Sequence, residues 1–257
     1  MRATMLLAVL IAVPTLAPAG DRPGDKDVKA IIEQVHQDRD RFEDQLDDTL
    51  KNSTLRSATG ETNVAKYLDD FQENVNHLKD RFTDDYSGST EALTVLRQGS
   101  AIQRYMSTQP TTLKGQSEWN RLSSTLEHLA AAYGTTFPLP DGATARRMND
   151  KEVKQTAESI AQAADRLKKE LGNALKADKV AKDAAEKQAD GLKDAAKALA
   201  SRVGDGQPAS GEAKTLLDHA SLVQTALAGK TFSPAGQTAA ESVASGVAKI
   251  AEAFGMK

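Results

Sequence analysis

The chain has 257 residues, no cysteine, 33 Lys and Arg against 36 Asp and Glu, and only 4% aromatic residues. Without cysteine it forms no disulfide, thiol nucleophile, cysteine-dependent zinc site or covalent c-type haem attachment. Nearly balanced charge favours neither nucleic acid nor an anionic membrane as a partner.

The first residues read as an export leader. Arg2 supplies a positive start, and Met5–Val13 is an uncharged apolar run too short to span a bilayer. Pro14 breaks that run, and Ala17-Pro18-Ala19 has the small-x-small form of a signal-peptidase site. Cleavage is expected after Ala19. The leader predicts a periplasmic or extracellular protein, with no lipid anchor and no transmembrane segment in the mature chain.

Beyond the leader the apolar spacing is helical throughout. The first helix is predicted over Asp25–Lys51, with Val28, Ile32, Val35, Phe42, Leu46 and Thr49 inward and Arg39 the one charged interruption. Apolar residues alternating four and three apart keep one stripe against a partner helix, as in antiparallel bundles. A longer loop is expected around Asn52–Gly60. The second helix, Thr62–Arg81, turns Leu68, Phe71, Val75, Leu78 and Phe82 inward, and the third, Thr90–Met106, places Val95, Gly99, Ile102 and Met106 on one line. The fourth has the cleanest seam, Trp119, Leu122, Leu126, Leu129 and Tyr133, and ends at Gly134, where a C-cap glycine belongs. Residues 135–148 hold Pro138, Pro140 and an Asp-Gly pair, and read as a linker.

The second half repeats the first. Asp25–Lys51 matches Asp150–Lys176 at a constant offset of 125, and Glu91–Leu96 and Gly115–Gly134 match Glu212–Leu217 and Gly236–Gly255 at an offset of 121. Such a repeat dictates the architecture. The expectation is an all-α protein: a tandem duplication of an up-down four-helix bundle, eight helices in all, after a cleaved signal peptide. Its parts are the leader (1–19), the first bundle (20–134), the Pro/Gly linker (135–148) and the second bundle (149–257). The copies differ in bulk, with Ala240 for Trp119, Leu192 for Phe71 and Leu167 for Phe42, so the second core is expected to be the weaker. The stretch Lys179–Val203 resembles the alanine-lysine-rich helices of desiccation-protective and apolipoprotein-like proteins. That resemblance implies a stress-protective amphipathic helix.

Candidate chemistry is sparse. Glu33-x-x-His36 has di-iron spacing, but the seam turns Glu33 away from the core and no second Glu-x-x-His accompanies it. Glu73 and His77 read as a surface pair, and His128 falls off the seam that would have to bring it to Met106 for non-covalent haem. The four histidines map onto Ala161, Ala198, Lys249 and Gln98 in the other copy, so shared chemistry does not rest on histidine. No nucleophile elbow, phosphate-cradling glycine loop or calcium loop is present.

Polar residues that do recur are Asp40-Arg41 with Asp165-Arg166, Arg81 with Arg202, and Gln103 with Gln224. They are a possible shared surface, against an ordinary reading as helix-surface ion pairs. Met106, Trp119 and Tyr133 are a possible pocket in the first copy. The leading expectation is an exported, non-enzymatic helical interaction or structural protein with no cofactor or metal and an unidentified protein partner. The alternatives are a periplasmic ligand- or cofactor-binding bundle and a stress-protective amphipathic helical protein. Oligomeric state is left open.

Overall fold

A computed structural model describes residues 22–57, 60–110 and 112–256, and the expected leader lies outside the described residues. The protein is all-α apart from one short hairpin among the described residues, and it divides into two compact units. Among the described residues no helix is long and apolar enough to cross a membrane.

The N-terminal unit is Pro23–Asn149. Its main helices are α1 (Asp25–Gln45), α3 (Val64–Arg81), α4 (Ser89–Met106) and α5 (Gln116–Ala132). Helix α1 lies against α3 and α5, and α4 lies against the same two. The predicted seams are buried: Val28, Ile32, Val35 and Phe42 from α1, Leu68, Phe71, Val75 and Leu78 from α3, and Trp119, Leu122, Leu126 and Leu129 from α5. Phe42 and Trp119 meet with ring centroids 5.4 Å apart and planes tilted by 58°, a favourable aromatic geometry.

The first helix is shorter than expected. It ends at Gln45, Leu46 is extended, and a single turn α2 (Asp48–Lys51) restarts beyond it. Asp47 explains the restart, because its side chain accepts a hydrogen bond from the Thr49 N–H at 2.8 Å and caps the new turn. The register changes with it: Leu50 is buried and Thr49 is exposed. The expected loop holds a hairpin, β1 (Thr54–Ser57) paired antiparallel with β2 (Gly60–Asn63). Leu55 buries itself from β1, and Arg56 Nε lies 2.6 Å from Glu61 Oε1 across the pair. Asn63 then caps α3, accepting from the Ala65 N–H at 2.9 Å.

The proline-bearing segment after α5 packs on this same unit. Phe137 and Ala145 join the core, the Leu139 N–H donates to Ser100 Oγ at 2.7 Å, and the Arg146 N–H donates to the Tyr133 carbonyl at 3.0 Å.

The C-terminal unit combines Arg22 with Asp150–Met256 among the described residues. Its helices are α6 (Asp150–Ala174), α7 (Lys179–Gly204), α8 (Ser210–Leu227) and α9 (Pro234–Ala253). Helix α6 lies against α7 and α9, and α8 lies against the same two. Val153, Ala157, Ile160, Ala164, Leu167 and Leu171 form the buried line of α6, while Ala174 is exposed and Leu175 is buried. Leu227 and Ala240 are half-buried.

Both terminal caps match the glycine prediction. The Thr135 N–H donates to Ala130 and the Gly134 N–H to Ala131, while Met256 donates to Ala251 and Gly255 to Glu252. The two glycines have φ of 66° and 63°. This is the Schellman arrangement, which a residue with a Cβ adopts only under strain.

Candidate functional site

The most unusual chemistry sits on the seam between α1 and α5. Asp38 is 1% exposed, a carboxylate buried on α1 between the turns of Val35 and Phe42. Burying such a group is unfavourable unless hydrogen bonds replace its water. Four donors do so. Gln34 Nε2 lies 2.7 Å from Oδ1, Arg121 Nε 2.8 Å and Arg41 Nη1 3.3 Å from the same oxygen, and Thr125 Oγ1 donates to Oδ2 at 2.8 Å. Gln34, Asp38 and Arg41 are three or four residues apart and share one side of α1, while Arg121 and Thr125 are four apart on α5. The side chains of Arg41 and Arg121 are 51% and 57% exposed. One buried acid therefore holds two guanidinium groups at the surface, each with further N–H donors turned outward.

Arg39, the charged interruption in the α1 stripe, is 3% exposed and points toward α3. Its Nη2 donates to the Leu68 carbonyl at 2.8 Å, and its Nη1 lies 2.6 Å from Glu43 Oε2 and 3.1 Å from Asp40 Oδ1. Its buried Nε has no hydrogen-bond partner.

The matching positions of the second half isolate this site. At the positions matching Asp38 and Arg39 the C-terminal unit carries Ala163 and Ala164, at Thr125 it carries Gly246, and at Arg121 it carries Ser242. There α6 and α9 approach directly: a Cβ built on Gly246 would lie 2.6 Å from Ile160 Cγ1. The same seam is bridged by a carboxylate in one unit and closed by bare backbone in the other.

The recurring polar residues are distributed over several contacts. Asp40 lies 3.3 Å from Gln72 Nε2, and its counterpart Asp165 lies 2.6 Å from Lys193 Nζ, the position matching Gln72. The Lys193 ammonium, through its hydrogen bond, holds the Asp165 carboxyl below the usual carboxylate range, and Asp165 in turn raises Lys193. Arg81 Nε lies 3.5 Å from Glu91 and Arg202 Nε 3.2 Å from Glu212, again matching positions. Arg41 lies toward α5, on the other flank of α1 from Asp40, and Arg166 is exposed. Gln103 turns inward and accepts from Trp119 Nε1 at 2.9 Å, while Gln224 is half-buried. Within each unit the four recurring residues thus engage different neighbours.

Met106, Trp119 and Tyr133 are each 1% exposed and form part of the packed core. Trp119 and Tyr133 stand at opposite ends of α5, roughly 21 Å apart at 1.5 Å per residue. The Tyr133 hydroxyl donates to the Ser87 carbonyl at 2.6 Å. Glu33 and His36 are directed to separate partners, Lys79 Nζ at 2.6 Å and Asp40 at 3.4 Å. Among the described residues no group of three or more potential ligands is placed to hold a metal ion. A shallow groove of about 480 Å³ in the C-terminal unit runs between α6 and α7. Lys154, Glu158, Asp165 and Lys193 flank it, and Ala161 and Ala200 lie in its lining.

Asp38, Thr125 and Arg121 escape seam-based reading because Asp38 lies beside the apolar stripe, in a position that usually faces solvent. The signal for them lies in the matched positions, where a charged and a hydroxyl side chain in the first half correspond to alanine and glycine in the second. No family model, curated protein or solved structure matches this chain.

Proposed function

We propose that this is an exported, non-enzymatic helical interaction protein, built as two tandem up-down four-helix bundles, whose first bundle presents the α1/α5 face to carboxylates of a protein partner. The bundle reading is supported by the ring of neighbours in each unit, α1-α3-α4-α5 and α6-α7-α8-α9. It is also supported by matching buried positions, matching glycine caps and matching polar pairs at offsets of 125 and 121. The export reading rests on the leader sequence.

The observation that carries the interaction reading is the Asp38 node. A fully donor-satisfied buried carboxylate orients two exposed arginines and lowers the entropy they lose on engaging an anion. Arginine pairs carboxylates through a planar fork of donors and is enriched where interfaces concentrate their binding energy. The other repeat has lost this node while retaining the scaffold, as expected for a specialised surface.

Cross-linking in the native compartment tests the proposal. The wild-type chain is expected to capture a stoichiometric protein partner through α1 and α5, and the Arg41→Ser/Arg121→Ser double variant to lose it. Equal capture by both proteins, or cross-links confined to the C-terminal unit, contradicts the proposal.

A further inference from the structure

Each unit is closed by an arginine that precedes the first helix of the other repeat. In the N-terminal unit Arg147, its side chain 1% exposed, reaches the first residue of α1 with Nη2 2.8 Å from Asp25 Oδ1. Its backbone N–H donates to Ser89 Oγ at 3.2 Å, and Nη1 donates to the Ala132 carbonyl at 3.4 Å, beside the Schellman turn of α5. In the C-terminal unit Arg22, its side chain 7% exposed, reaches the first residue of α6 with Nη1 2.7 Å from Asp150 Oδ1. Its backbone N–H lies 3.4 Å from Ser210 Oγ, and its guanidinium sits 5.6 Å from the centre of the Phe254 ring.

All the parts correspond. Arg22 and Arg147, like Asp25 and Asp150, are 125 apart, and Ser89 and Ser210, like Tyr133 and Phe254, are 121 apart. Two Arg-x-x-Asp segments, Arg22–Asp25 and Arg147–Asp150, therefore supply two corresponding clasps, alike in their aspartate and serine contacts, with Arg147 also donating to the Pro23 carbonyl at 2.8 Å. The role that Arg147 plays from downstream of α5 is played in the C-terminal unit by Arg22 from upstream of α1. A socket made of an aspartate and a serine hydroxyl, completed in the C-terminal unit by the Phe254 ring, thus accepts the same kind of arm whether the chain delivers it from upstream or from downstream. Covalent continuity with one end of the helix set is not what makes the fit; the local chemistry is.

We infer that this socket is a binding site for an arginine-bearing arm, filled in the C-terminal unit by Arg22 and open to the same segment supplied as a separate peptide. Burial of both charges makes the contact depend on the guanidinium and not merely on positive charge, because bidentate-capable planar donors and the ring face suit arginine over lysine. A leader cut after Ala19 leaves the arm whole. Trimming past Arg22 opens the socket.

The test uses the full chain. In Arg22→Ala, amide exchange is expected to rise roughly tenfold or more at the start of α6 and the end of α9, while the end of α5 keeps its protection. A peptide of residues 20–25 (Gly-Asp-Arg-Pro-Gly-Asp) is expected to restore protection, and the same peptide carrying Arg22→Gln is not. The wild-type chain, its socket filled, is expected not to bind the peptide. Arg22→Lys, which keeps the charge, serves if the alanine variant does not fold: it should exchange faster than wild type at the same two places and be rescued by the arginine peptide. Unchanged exchange in the variants, no rescue, or rescue by both peptides alike overturns the inference.

Discussion

Asp38 illustrates how a residue can be expensive to bury and more expensive to remove. Replacing Asp38 by alanine takes an acceptor from the Thr125 hydroxyl and from two guanidinium groups that water still reaches, and a loss of about 2–4 kcal/mol in unfolding free energy is expected. Thr125→Val removes one neutral donor and should lose less, about 1–3 kcal/mol. Denaturant melts of the two variants check the order. The tyrosines offer a pH test. Burial pushes the Tyr67 hydroxyl up to about 12, and burial pushes Tyr133 up further. Both groups hold their protons more tightly in the folded chain than in the unfolded chain, where a tyrosine titrates near 10. Stability is therefore complete below about pH 10 and falls as pH rises through about 12. Tyrosinate absorbance followed with alkaline pH should show two slow phenols that ionise only as the helices melt, and Tyr133→Phe should remove one of them.

At the scale of elements, the helices were legible because apolar spacing and terminal glycines are local properties of the chain. The buried lines of α1, α3, α5 and α6 follow that spacing, and Gly134 and Gly255 end their helices as a positive φ requires. The misses came where a polar residue acts against the period. Asp47 caps a new turn and so brings Leu50 inward in place of Thr49, and the β1–β2 hairpin is too short for alternation to stand out in sequence. In the C-terminal unit Leu175, just past the last residue of α6, is buried and Ala174 is exposed. The candidate site was less legible than the fold, since Arg39 and Arg41 stood out in sequence but Asp38, Arg121 and Thr125 needed the third dimension. Element contacts also yield a prediction. Gly246→Ala places a methyl against Ile160, so despite alanine's better helix propensity the variant should lose about 1–3 kcal/mol. The matching Thr125→Ala leaves α1 and α5 at their spacing and should not show that overpacking in a crystal structure.

For the whole molecule, the two units carry matching sequence positions but differ in packing and in charge. The N-terminal unit buries Trp119, Phe42, Phe71 and Leu68 where the C-terminal unit has Ala240, Leu167, Leu192 and Ala189. Less apolar area per helix predicts a C-terminal unit that opens at lower denaturant, read as earlier loss of amide protection in α6–α9 than in α1–α5. The central claim concerns what the better-packed unit does with its surplus: it tolerates a buried carboxylate in order to fix two arginines at the surface. Native mass spectrometry of the protein taken from its own compartment tests that claim most directly, with wild type and the Arg41→Ser/Arg121→Ser variant side by side. The account predicts a complex with a second, acidic polypeptide that the variant does not form. A small molecule or metal ion retained in stoichiometric amount by both proteins, with no polypeptide partner on either, would contradict it.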